Sequence, residues 1–78
     1  MGTVLRGAIE MENSMRLYIQ ETIISQFAGW SSSMMPLVTL QMRCAKKGIK
    51  AAQFEEAIDE LVKAGRLEKP AFNRIRLL

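Results

Sequence analysis

The sequence predicts a mainly helical domain closed by a small C-terminal β-hairpin, and three observations carry that prediction. From Lys50 onward, Phe54, Ala57, Ile58, Leu61 and Val62 recur at three- and four-residue steps, which places them on one face of a helix. Gly48 and Gly65 bracket this helix at the points where a tight turn favours a residue tolerant of positive φ. After it, Arg66-Leu67-Glu68-Lys69 and Arg74-Ile75-Arg76-Leu77 alternate polar and apolar, as half-buried strands do. Pro70-Ala71-Phe72-Asn73 between them has the length and the turn residues of a hairpin loop.

The elements before it follow in order. Residues 1–12 (MGTVLRGAIEME) read either as a helical stripe of Val4, Leu5, Ala8 and Ile9 interrupted by Gly7, or as an extended arm preceding a single domain over 13–78. Asn13 or Ser14 can cap a first helix that runs to about Ala28 and buries Met15, Ile19, Ile23 and Phe27, spaced by four. Gly29 ends it, and Trp30 folds back on its last turn. A second apolar line, Leu17, Ile24 and Ala28, lies nearly opposite. Either the N-terminal arm covers it or a second copy does, as a homodimer contact. Ser31-Ser32-Ser33 is a polar break, and Met34-Met35 form a brief strand before Pro36, which suits the first turn of a helix. That second helix, to about Lys47, buries Leu37, Leu40, Cys44 and Ala45 and exposes Thr39, Met42, Arg43, Lys46 and Lys47. Ile49 plugs the corner before the third helix.

Size and composition narrow the function classes. At 78 residues the core is barely large enough to stand without a staple or a partner. The lone Cys44 excludes an internal disulfide. Neither a signal-peptide pattern nor an apolar run of roughly 18–20 residues is present, so a soluble, cytoplasmic chain is expected, with no membrane partner. The absence of His removes the commonest general base and the commonest metal ligand. Cys44 falls on the buried side of its helix, and no Gly-rich phosphate loop follows a strand. Asp59 and Glu60 have no second partner at metal-ligand spacing. The expectation is a protein that is not an enzyme and needs neither cofactor nor metal.

Charge is more informative by segment than in its formal total of +3. Arg43, Lys46, Lys47 and Lys50 occupy Ser31 to Gln53 without an acid. Glu55, Glu56, Asp59 and Glu60 follow without a base, on the face of the third helix opposite its apolar stripe. Lys63, Arg66, Lys69, Arg74 and Arg76 then face Glu68 alone. Two basic segments thus bracket an acidic helix. Acids early and bases late in a helix also complement its dipole, so part of this pattern is ordinary solvated surface.

The order helix, short strand, helix, tight turn, helix, strand, loop, strand resembles the winged helix-turn-helix superfamily over residues 13–78. The matching features are the Ala45-x-x-Gly48-Ile49 turn, the Phe54/Ile58/Leu61 helix, the Ala64-Gly65-Arg66-Leu67 exit and the strand from Arg74 to Leu77. The resemblance implies a module that binds double-stranded DNA, with its third helix in the major groove and its hairpin wing on the backbone or minor groove. By position, Arg43, Lys46 and Lys47 would meet phosphate, and Lys50 and Gln53 would lie where such helices contact base edges. Gln53 is suited to adenine, and Lys69 and Arg74 would form a cationic wing. With four carboxylates further along the third helix, only its first turn and the wing are expected to touch DNA. The other class this sequence admits is an adaptor that binds a protein partner through the acidic third helix or the Leu17/Ile24 face. Convergence of the basic residues on one surface favours DNA, and acids lying between them favour the adaptor.

Overall fold

The computed structural model describes the backbone of residues 2–78 and the side chains of residues 14–78. Three helices, α1 (Gly2–Ser25), α2 (Leu37–Ala45) and α3 (Ala51–Lys63), pack with three short strands, β1 (Met34–Pro36), β2 (Leu67–Ala71) and β3 (Arg74–Leu77). The strands form one antiparallel sheet in the order β1-β3-β2.

The first helix departs from expectation at both ends. Its backbone is continuous from Gly2, so Asn13 and Ser14 lie inside it rather than capping it. A single Gly inside a helix costs only about 1 kcal/mol against Ala, too little for Gly7 to break the run. Residues 2–12 therefore continue the helix and do not fold back over Leu17; the stripe of Val4, Leu5, Ala8 and Ile9 lies outside the described side chains. At the other end the helix stops at Ser25, short of Ala28. The N–H groups of Gln26, Phe27 and Ala28 donate to carbonyls three residues back at 3.1–3.2 Å, the tightening by which a helix satisfies its last acceptors.

Ile19, Ile23 and Phe27 are buried as the four-residue spacing predicts, but Met15 is 54% exposed. It stands opposite Gln53, Glu56 and Ala57 of α3, and none of these is a large apolar side chain that could close over it.

Both α2 and α3 end in the same device. Beyond α3, the Gly65 N–H donates to the Val62 carbonyl and the Arg66 N–H to the Leu61 carbonyl, each at 3.0 Å. Beyond α2, Gly48 and Ile49 bond the carbonyls of Ala45 and Cys44 in the same pattern. These paired bonds need a left-handed residue, and Gly48 (φ 88°) and Gly65 (φ 75°) supply it. Ile49, the residue after the first of these turns, is buried against the core as expected.

The hairpin is tighter than its sequence suggests. Pro70 and Ala71 belong to β2, and only Phe72-Asn73 turn, because Ala71 pairs with Arg74. Between Glu68↔Arg76 and Ala71↔Arg74 the register shifts, so β2 carries a bulge. A proline lacks a ladder donor, and here it sits in the bulge of an edge strand, where no donor is required. Met35 pairs with Ile75, and both are fully buried, so the central strand ties β1 to the core.

The core collects side chains from every element: Leu40 and Cys44 of α2, Phe54, Ala57, Ile58 and Leu61 of α3, and Leu67 of β2 join the α1 and sheet residues above. Two expected members lie outside it, since Ala45 is exposed and Val62 is 36% exposed at the edge of the α3 stripe. Burial raises the Cys44 thiol to a pKa of about 11. An unfolded thiol ionises near 9. The Cys44 contribution to stability is therefore complete below pH 9 and is lost as pH rises toward 11, where only the unfolded chain has already released the proton. Iodoacetamide at pH 8 is expected to leave the native protein unmodified and to alkylate it in urea. Rapid alkylation without denaturant would contradict the packing of Cys44.

Candidate nucleic-acid interface

The basic residues singled out from the sequence divide into two groups. Arg43 is engaged inside the fold. Its guanidinium lies 4.8 Å from the Trp30 ring centroid and donates to the Gln26 carbonyl at 3.3 Å. Trp30 is itself held by its indole N–H, which donates to the Met34 carbonyl at 2.8 Å. This arrangement staples the exit of α1 to β1 and α2, and it makes Arg43 half-buried rather than exposed.

Lys46, Lys47 and Lys50 are exposed around the turn from α2 to α3, and Lys69 and Arg74 are exposed on the hairpin. Among the described residues none of these five is ion-paired. Two of the ion pairs that do form link α1 to α3 and to its exit, Arg16 with Glu60 at 3.5 Å and Glu21 with Arg66 at 3.4 Å, and the third, Arg76 with Glu68 at 3.3 Å, crosses the hairpin itself. Lys69 reaches back over α3, lining a groove with Phe54, Glu55, Ile58 and Asp59 of that helix and Leu37 and Gln41 of α2. Arg74 lines the adjoining groove with Pro36, Leu37, Val38, Gln41, Phe72 and Asn73. The two grooves share Leu37 and Gln41, so hairpin, α2 and α3 present one continuous surface.

The acids of α3 do not share one face. Glu60 turns toward α1, where it accepts from Gln20 Nε2 at 2.7 Å and pairs with Arg16. Glu56 lines the α1 groove beside Met15 and Arg16. Glu55 and Asp59 alone lie on the side facing the hairpin, next to Lys69. The expectation of four carboxylates on one solvent face is therefore corrected. Helical spacing places all four off the apolar stripe, but the crossing of α1 over α3 draws two of them away.

Gln53 also has a structural task. Lys50 stands at the N-cap of α3 and its side chain cannot accept a hydrogen bond; instead Gln53 Oε1 accepts from the Lys50 N–H at 3.0 Å. Gln53 is half-buried and lines the α1 groove with Met15, Arg16 and Glu56, on the side of α3 away from Lys69. Of the apolar line on α1, Leu17 is 59% exposed and Ala28 exposed, whereas Ile24 packs partly against the core. Tyr18, 55% exposed, adjoins Leu17 on α1, and Met15 is exposed on the opposite side, toward α3.

Two residues carry more weight here than their sequence context indicated. Phe72, at the hairpin tip, is 83% exposed, and Val38, across the groove from it, is 64% exposed. For Phe72 a signal was available, since an aromatic residue between Pro70 and Asn73 in a turn has nowhere inward to go. Among the described residues no helix is long and apolar enough to cross a membrane. Comparison with protein-family models, with curated proteins and with solved structures finds no match.

Proposed function

We propose that this chain is a DNA-binding winged-helix protein, a small transcriptional regulator or accessory factor that anchors on phosphates through the α2–α3 turn and the hairpin. The observation that carries the reading is the distribution of unpaired charge. Lys46, Lys47 and Lys50 at the α2–α3 turn and Lys69 and Arg74 on the hairpin are exposed and not ion-paired among the described residues. The nearby acids are Glu55 and Asp59 beside Lys69, and Glu68, which Arg76 pairs within the hairpin. The element order is the one the winged-helix resemblance implies, which supports reading α3 as the helix offered to the major groove and the hairpin as the wing. Glu55 and Asp59 keep the middle of α3 away from phosphate, so contact is confined to its first turn and to the wing.

The adaptor reading keeps one specific observation in its favour. Those same two acids lie between the turn lysines and the wing, and α1 separately exposes Met15, Leu17 and Tyr18. One titration separates the two classes. A labelled duplex of arbitrary sequence, followed by fluorescence anisotropy, is expected to bind at low salt and to weaken steeply toward physiological salt, with a log–log slope of roughly −3 to −4.5 for three to five phosphate contacts. Flat anisotropy at low salt overturns the DNA reading and directs the search to a protein partner of α3 or of the Leu17 face.

A further inference from the structure

The tip of the hairpin is built from residues that suit a nucleobase rather than a phosphate alone. Phe72 occupies the first position of a two-residue turn and contributes nothing to the core. The groove beside it, of about 310 Å³, is lined by the apolar Pro36, Leu37 and Val38 and by Gln41, Asn73 and Arg74, which bring two side-chain amides and a guanidinium to it. No carboxylate lines it. An aromatic face, amides able to pair with a base edge, and one cation for the adjoining phosphate form the combination by which proteins hold unstacked bases.

From this geometry we infer that the Phe72 groove receives an unpaired nucleobase, so that the protein binds duplex DNA next to unpaired nucleotides in preference to continuous duplex. The inference rests on the DNA reading proposed above and deepens it. A base inside intact duplex shows only its edge to the hairpin, and exposing its face requires unstacking, which an already unpaired base does not. Glu55 and Asp59 line the neighbouring groove with Lys69 and do not line this one.

The test compares one labelled blunt duplex with the same duplex extended by a short single-stranded overhang. The unmodified chain is expected to bind the overhang substrate roughly five- to a hundred-fold more tightly. Phe72→Ala should abolish that preference while leaving blunt-duplex affinity and its salt slope unchanged, and Phe72→Trp should retain it. Because Phe72 lies outside the core, these variants keep the fold, which circular dichroism verifies. Equal affinity for the two substrates, or a preference that survives Phe72→Ala, overturns this inference and leaves the DNA reading standing. Failure to bind either substrate at low salt overturns both.

Discussion

Leu61→Ala is expected to unfold a large fraction of this protein in mild denaturant. Leu61 lies on the buried stripe of α3 and is 1% exposed, inside a core shared by all three helices and the sheet. Deleting three carbons, a methine and its two methyls, from such a site removes their transfer free energy and leaves a cavity, together costing about 2–5 kcal/mol. A chain of 78 residues has a total stability on the order of 4–12 kcal/mol. A single substitution can therefore remove half or more of the total. The urea midpoint should fall sharply with little change in slope. Leu17→Ala is the comparison, since it deletes the same atoms from a side chain 59% exposed and should shift stability by less than about 0.5 kcal/mol in the monomer. Equal losses from the two variants would mean that Leu17 is covered, and a loss that grows on dilution would place a second copy over it.

The contrast between Leu61 and Leu17 also marks where the sequence is legible. Helical spacing named Phe54, Ala57, Ile58 and Leu61 as the inward face of α3, because that face is set by a period of 3.6 residues and needs no knowledge of what packs on it. The glycines at 48 and 65 were equally readable, since a left-handed residue after a helix is a local demand. Met15 and Val62 fit the same periods and are nonetheless substantially exposed, because being buried requires a partner across the gap. The destinations of the charged residues were the least legible. Glu60 meets Arg16 and Gln20 across a separation of about forty residues, and Arg43 meets Trp30 and Gln26 only once α2 is folded against the exit of α1. Neither contact leaves a trace in local pattern. Likewise, Met34-Met35 announced a strand, but alternation alone could not say that it would pair with β3 and make that strand the centre of the sheet.

These long-range contacts change which substitutions test the proposed DNA contact. Lys46→Ala/Lys47→Ala removes two exposed cations from the α2–α3 turn, neither of them ion-paired among the described residues nor part of the core. Each phosphate contact contributes about 0.9 to the log–log salt slope, so the double variant should lower its magnitude by roughly 1.8. Against a 1 M reference this amounts to a loss on the order of 10- to 60-fold in duplex affinity at 0.1 M salt, nearly uniform across sequences. Arg43→Ala should behave in the opposite way. It loses the Trp30 stacking and the Gln26 hydrogen bond and so lowers stability by about 1–2 kcal/mol, while the salt slope stays as it was. Glu55→Gln/Asp59→Asn completes the set: with the two acids on the hairpin side neutralised, duplex affinity should rise, because those carboxylates repel the phosphates that the flanking lysines attract. A chain that binds DNA through this surface must show all three signs together. If the lysine variant binds as the parent does, or if neutralising the acids weakens binding, the cationic surface is not the DNA contact. The acids beside Lys69 are then better understood as part of a protein-binding face.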